Sequence, residues 1–287
     1  MQYLIIISLI WAFSFGLIKG QLTNLDANLV AFLRLFISFL VFLPLFRIKN
    51  HDSKVIIKFA LIGAVQYGIM YSAYIYSYQY LQAFEIAIFT VFTPIYIVLI
   101  DSAIKRSLNK IFLFASLLAV TGAGIILLQA VNFSQNLFGF ALVQLSNICF
   151  ASGQIFYRSA ANKINLKNER ELFAALFFGG VLITGLLGFI TIDFNGIIIS
   201  TNQIFTLLYL GAIASGISFF LWNKGARLVH AGTLSVMNNL KIPLAVFVSL
   251  LIFGEESDLT KLIIGGTVIG LGLWFAERFR TSKSIEQ

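Results

Sequence analysis

Ten times along 287 residues, an apolar run long enough to cross a lipid bilayer gives way to a short polar break. A membrane helix needs about 20 such residues. The runs cover roughly 3–19, 27–46, 56–80, 83–100, 110–130, 137–157, 171–190, 203–223, 231–253 and 261–277. The breaks are too short to hold a soluble domain. Charged residues make up 11% of the chain and hydrophobic ones 59%, whereas a soluble domain carries about 25% charge. So little charge cannot cover a surface in water, and the expected class is an all-α polytopic membrane protein with ten transmembrane helices. The N-terminal run lacks a basic leading region and a small-residue cleavage site, so it reads as a first span rather than a cleaved signal. Cys149 is the only cysteine, which excludes an internal disulfide framework and a CxxC metal site.

The lysines and arginines alternate by break. The 2–3, 4–5, 6–7 and 8–9 connections and the C-terminal tail hold sixteen of the twenty, among them Arg47, Lys58, Lys105, Arg158, Lys163, Arg227 and Arg278. The opposite breaks hold only Lys19 and Lys261 and are otherwise acidic, with Asp26, Asp193, Glu255, Glu256 and Asp258. Lys and Arg accumulate in cytoplasmic loops, so both termini are expected to face the cytoplasm across the inner membrane. The net charge of +8 is thus spread over loops and forms no contiguous patch for nucleic acid.

Two pairs of motifs recur at one offset. GAVQYGI at 63–69 and GAIASGI at 211–217 share G-A-x-x-x-G-I, and VTGAG at 120–124 and VIGLG at 268–272 share V-x-G-x-G, both 148 residues apart. SLIWAFS at 8–14 and SNICFAS at 146–152 match more weakly at another offset, and Pro94 and Pro243 correspond if one residue is inserted. Small residues also serve close helix packing, but two motifs at an identical offset favour a duplication. The halves are then 1–132 and 133–287, with five spans each. Because five is odd, the second half enters the bilayer inverted. Secondary transporters built from such repeats bind substrate near the bilayer midplane, between the halves.

IWAFSF at 10–15, RLFISFLVFLPL at 34–45 and the long stretch 208–255 ending in Gly254 and Glu255 resemble, in order and spacing, the EamA-type members of the drug/metabolite transporter superfamily. NNLKIPLAVFVSLLIFGE at 238–255 and EIAIFTVFTPIYI at 85–97 are most similar to its carboxylate, amino-acid and amine transporters. The resemblance spans essentially the whole chain. It implies ten helices, cytoplasmic termini and alternating access about a central cavity, and it fixes no substrate.

Three ionisable residues remain inside the runs: Arg34, Glu85 and Lys241. Intramembrane charges are costly and face the interior of a bundle. Lys241 is ten residues past the start of its span, roughly 15 Å deep at 1.5 Å per residue. Facing lipid it would cost about 3 kcal/mol. Two roles fit it: counter-ion of a substrate carboxylate, or structural ion pair with Glu85. Glu85 is the only carboxylate placed to carry a coupling proton or meet a substrate ammonium. Arg34 fits second-span structure or the outer pathway. Pro243 removes the bond to the Asn239 carbonyl, and Pro94, preceded by Thr90 and Thr93, acts similarly in span four. Asn238 and Asn239 add polar groups beside Lys241.

Tyr67, Tyr71, Tyr74 and Tyr78 follow i, i+4, i+7 and i+11, one stripe of a regular helix, bordered by Gln66 and Met70. They either pack between helices or line the cavity, to which Trp11, Ser14, Tyr96 and Trp222 also contribute. Neither His51 nor His230 belongs to a catalytic motif, and HExxH, GxSxG and the nucleotide-binding G-x-x-x-x-G-K-[ST] are absent. No enzyme activity, cofactor or metal is expected. The chain reads as a secondary transporter of a small anionic or zwitterionic metabolite, an amino acid or another carboxylate, with protons or a counter-substrate as the remaining partners. The alternative is an exporter of amphiphilic or cationic drugs or amines in which Lys241 and Glu85 form a structural ion pair. Oligomeric state is left open by the small-residue faces.

Overall fold

The computed structural model describes residues 1–22, 25–81, 83–127, 137–192, 199–252 and 258–279. Among them the chain is helical, with no strand. The helices are α1 (Gln2–Gln21), α2 (Ala27–Phe42), α3 (Ser53–Gly63), α4 (Met70–Tyr76), α5 (Ala83–Thr90), α6 (Thr93–Lys105), α7 (Lys110–Leu127), α8 (Leu137–Lys163), α9 (Arg170–Thr191), α10 (Thr201–Tyr209), α11 (Ser218–Arg227), α12 (Ala231–Ile252) and α13 (Leu259–Arg278). A π-helical turn at Ala64–Ile69 joins α3 to α4, and a second at Leu210–Ile217 joins α10 to α11. Among the described residues nine continuous segments are long and apolar enough to cross a membrane, and α1 adds an apolar helix at the N-terminus. The protein is a polytopic helical membrane protein, and its segments follow the sequence boundaries within a few residues. The junction expected at 132/133 lies outside the described residues.

Hydrocarbon dictates this form, because a helix pairs its own backbone groups without water. It also turns the usual surface outward-apolar. Phe189, Ile190, Leu251 and Ile263 are more than half exposed and face where lipid lies. Helix starts are tied by side chains. Asp26 accepts from Asn28 N and Leu29 N, Asn109 from Ile111 N and Phe112 N, and Ser200 forms a capping box with Gln203.

Inside, α2 and α3 lie on α9, α1 lies on α12, and α7 lies along α13. Without a hydrophobic drive between helices, close approach of small residues supplies the packing. A Cβ on Gly179 would overlap the Ala60 carbonyl oxygen, and one on Gly63 would overlap that of Leu176. The α3–α9 crossing thus admits no side chain at either position.

Two expectations need correction. Pro94 and Pro243 do not act alike. Pro94 sits where a turn at 91–92 separates α5 from α6, so span four is two helices, whereas α12 runs on through Pro243. Arg158 is not a loop residue either. α8 continues to Lys163 and holds Arg158 buried at 8% exposure.

Gly179→Ala should lower the unfolding temperature of the detergent-solubilised protein, at a cost of about 1–3 kcal/mol for overpacking. Gly266→Ala, at a site with open space around it, should leave the melting curve unchanged.

Candidate functional site

The break in span four organises the interior. Pro94 has no N–H to donate, and the turn before it leaves the carbonyls of Ala87, Phe89, Thr90 and Val91 to side chains, while that of Ile88 keeps the Val91 N–H at 3.2 Å. Thr90 Oγ1 donates to the Ala87 carbonyl and Thr93 Oγ1 to that of Thr90, each at 2.8 Å. Asn147 Nδ2 donates to the Phe89 carbonyl at 2.8 Å, joined by Gln144 Nε2 at 3.2 Å. Asn239 Nδ2 donates to the Val91 carbonyl at 3.0 Å and to that of Ala119 at 3.1 Å. Tyr96 Oη closes the set by donating to Gln144 Oε1 at 3.0 Å. The break is therefore held open by amides from α8 and α12.

A second amide chain crosses the bundle. Gln154 Oε1 accepts from Trp222 Nε1 at 2.9 Å and from Asn238 Nδ2 at 3.1 Å. Gln66 and Asn223 bond each other reciprocally at 2.9 and 3.1 Å, and Asn223 also donates to Tyr67 Oη at 3.0 Å. Between these chains lies an aromatic box. The Trp11 ring is 4.8 Å from Trp222, 5.6 Å from Phe219 and 6.3 Å from Phe150, and the Tyr67 ring is 4.6 Å from Phe219. Trp11 Nε1 donates to the Ala214 carbonyl, within the second π-helical turn, at 2.8 Å.

Arg34 borders this box. Its Nε and Nη2 donate to Ser215 Oγ at 3.1 and 3.0 Å, and its guanidinium carbon lies 5.2 Å from the centre of the Tyr71 ring. The same π-helical turn thus anchors both Trp11 and Arg34. Lys241 stands three residues beyond Asn238, the spacing that places two side chains on one helix face. That face carries Leu234 and Asn238, both buried, and Asn238 points to Gln154. Lys241 itself is half-buried and makes no hydrogen bond or ion pair among the described residues. The pair with Glu85 is not formed. Glu85 is half-buried in the first turn of α5.

The tyrosine stripe divides because its first residue sits in a π-helical turn, not a regular helix. Tyr67 is fully buried and bonded to Asn223, so it packs rather than lining a free surface. Tyr71 meets Arg34 and Phe219, whereas Tyr74 packs beside the separate cluster of Leu81, Ile86, Phe89 and Val143. The Tyr78 side chain lies outside the described residues. Gln66 and Trp222 are fully buried. Ser14 bonds back to the Ile10 carbonyl at 2.7 Å.

The sequence reading missed Gln144, Asn147, Gln154, Asn223 and Ser215. A signal was present for the α8 residues. Gln144, Asn147, Ala151, Gln154 and Arg158 advance by 3, 4, 3 and 4, which is one face of a helix.

Buried amides, two half-buried cations and an aromatic box, enclosed by bilayer-length helices, define a membrane protein with a polar interior. The chain belongs to the EamA-like transporter family, whose model matches residues 1–128 and 137–277. It is 37% identical over 288 residues to a protein of Salmonella typhimurium named biotin transporter, covering 100% of this chain and 96% of that one. It is 36% identical to the biotin transporter of Escherichia coli (strain K12), over 99% and 95% of the two chains. The probable biotin transporter of Pseudomonas aeruginosa is 36% identical over 96% of each. A crystal structure at 15% identity superposes with a TM-score of 0.80 over 96% of both chains, a likeness of fold alone.

Asn147→Leu removes the amide that holds the Phe89 carbonyl and the Thr93 hydroxyl. Both groups keep a second partner, Gln144 for the carbonyl and the Thr90 carbonyl for the hydroxyl, so the loss is that of ordinary hydrogen bonds, about 0.5–1.5 kcal/mol each. Unfolding in mixed detergent should shift by that amount, while Asn162→Leu, at the exposed end of α8, should shift it less.

Proposed function

We propose that this protein carries biotin, or a monocarboxylate of its kind, across the cytoplasmic membrane by alternating access, with Lys241 as counter-ion of the carboxylate. The observation that carries the substrate is the full-length similarity to proteins named biotin transporter. Biotin offers a carboxylate, an apolar linker and a bicyclic ureido head with two N–H donors and one C=O. Lys241 answers the first. The Trp11–Phe150–Phe219 box suits the second, and Gln154 and Asn238, bonded to each other and to Trp222, hold that box in position. An amino acid would add an ammonium group, and the names of these relatives lend that class no support.

The two halves, 1–132 and 133–287, act in this reading as inverted repeats that rock about the site. Three observations support it. Both copies of G-A-x-x-x-G-I carry a π-helical turn, ending at Ile69 and Ile217, 148 residues apart. Packing repeats in the same sense, since α2 lies on the second π turn as α9 lies on the first, and α1 meets α12 as α8 meets α5 and α6. The family model also divides at the same place. The concentration of Lys and Arg at one set of helix ends supports cytoplasmic termini.

Proteoliposomes preloaded with biotin should take up labelled biotin by exchange, and Lys241→Met should abolish it. Losing one charge-assisted hydrogen bond worth about 1.5–3 kcal/mol corresponds to roughly 10–150-fold in affinity. Normal exchange by a folded Lys241→Met variant would remove Lys241 from the site. A reporter that fluoresces only in the cytoplasm should light up when fused after Gln287, and a dark fusion would reverse the topology.

A further inference from the structure

At the Lys105/Lys163 end of the bundle, Arg227 and Lys105 each have an acidic partner, and the buried Arg158 has none among the described residues. Arg227 pairs with Glu169 at 2.9 Å and bonds Asn162 and the Leu166 carbonyl. Glu169 is held in turn by Tyr157 Oη at 2.6 Å. Lys105 pairs with Asp101 at 3.3 Å. Arg158 lies among them, 8% exposed, with no hydrogen bond or ion pair among the described residues and its Nη1 buried without any acceptor. Asp101 on α6 is the neighbouring charge that acts on it electrostatically, but that carboxylate is engaged by Lys105.

A guanidinium is always charged and presents five donors in a planar fork suited to a carboxylate. Burying one without acceptors is costly, and packing alone does not require it. Its position gives the cost a purpose. Arg158 continues the α8 face of Asn147, Ala151 and Gln154. Gln154 bonds Asn238 on α12, which fixes the relative level of the two helices. Lys241 is three residues from that bond along α12, and Arg158 is four residues from it along α8. Spans six and nine run in opposite directions, so the two cations are separated along the bundle by about seven residues, roughly 10 Å at 1.5 Å each.

We propose that Arg158 is a second carboxylate station, one step from Lys241 toward the cation-rich end, where the substrate anion is held between the central site and the cytoplasm. Asp101 pairs with Lys105 and leaves the guanidinium open, and its negative charge nearby opposes the incoming anion. The proposal rests on the reading of an anionic substrate given above and adds the residue that receives it on one face only.

Membrane vesicles of both orientations separate the possibilities, with labelled biotin as the probe. Arg158→Gln should raise KM about tenfold or more in inverted vesicles, the effect of one lost charge-assisted contact. KM in right-side-out vesicles and equilibrium binding to the solubilised protein should stay near wild type. Asp101→Asn should lower KM in inverted vesicles by removing the negative charge that opposes the substrate anion. The double variant Arg158→Gln/Asp101→Asn should remain impaired. A KM unchanged in inverted vesicles, or raised equally on both faces, overturns the station. Recovery of transport in the double variant also overturns it, because that result marks Arg158 as a structural counter-charge for Asp101. An unchanged or raised KM for Asp101→Asn overturns it even if Arg158→Gln does not fold. A wild type that moves no biotin overturns the substrate reading together with the station, whereas wild-type transport that ignores Arg158 overturns the station alone.

Discussion

Backbone groups inside hydrocarbon must find partners within the protein, and the fate of a few backbone carbonyls at residues 87–91 decides how this interior is built. The turn at 91–92, with a proline at 94 that has no N–H for the Thr90 carbonyl, frees them. The chain answers with Asn147 and Gln144 from α8 and Asn239 from α12. These amides tie span four to helices of the other half of the sequence. They also give α8 its polar face, which leads from the break through Gln154 toward Arg158. An unpaired amide in this setting is more costly than in a soluble core, because the alternative is hydrocarbon.

Amides and cations divide the work by what they can tolerate. Gln66, Asn147, Asn223 and Asn238 are buried and use their hydrogen bonds on one another or on the backbone. They set positions. Arg34 and Lys241 are only half-buried, and Lys241 spends none of its donors on the protein. Groups of the first kind fix where the helices sit. Groups of the second kind keep bonding capacity that the protein itself does not use.

Much of the fold was legible because the bilayer reads sequence coarsely. Apolar length gave the spans, and charge placement gave their ends. The family also followed from motifs such as NNLKIPLAVFVSLLIFGE. The interior was harder to read for three physical reasons. A π-helical turn breaks the periodicity on which stripes depend, so Tyr67 and Tyr74 do not share a surface. A proline's effect depends on what its neighbours supply, which separates Pro94 from Pro243. Neutral amides draw less notice than charges, so Gln154 and Asn147 were passed over although their spacing along α8 was regular. Arg158 was misplaced because hydropathy ended the sixth span too soon.

The two π-helical turns carry a consequence for phase. Each accommodates one residue more than a regular helix would in the same length, and in a helix one residue is about 100° of rotation. Everything after the turn is therefore twisted relative to what precedes it. In the first half that offset sets the azimuth of Tyr71 against Arg34. In the second it sets that of Trp222 against Gln154. A regular helix through either segment would keep its length and hydropathy yet aim these rings elsewhere, so the two extra residues act as the angular alignment of the whole interior.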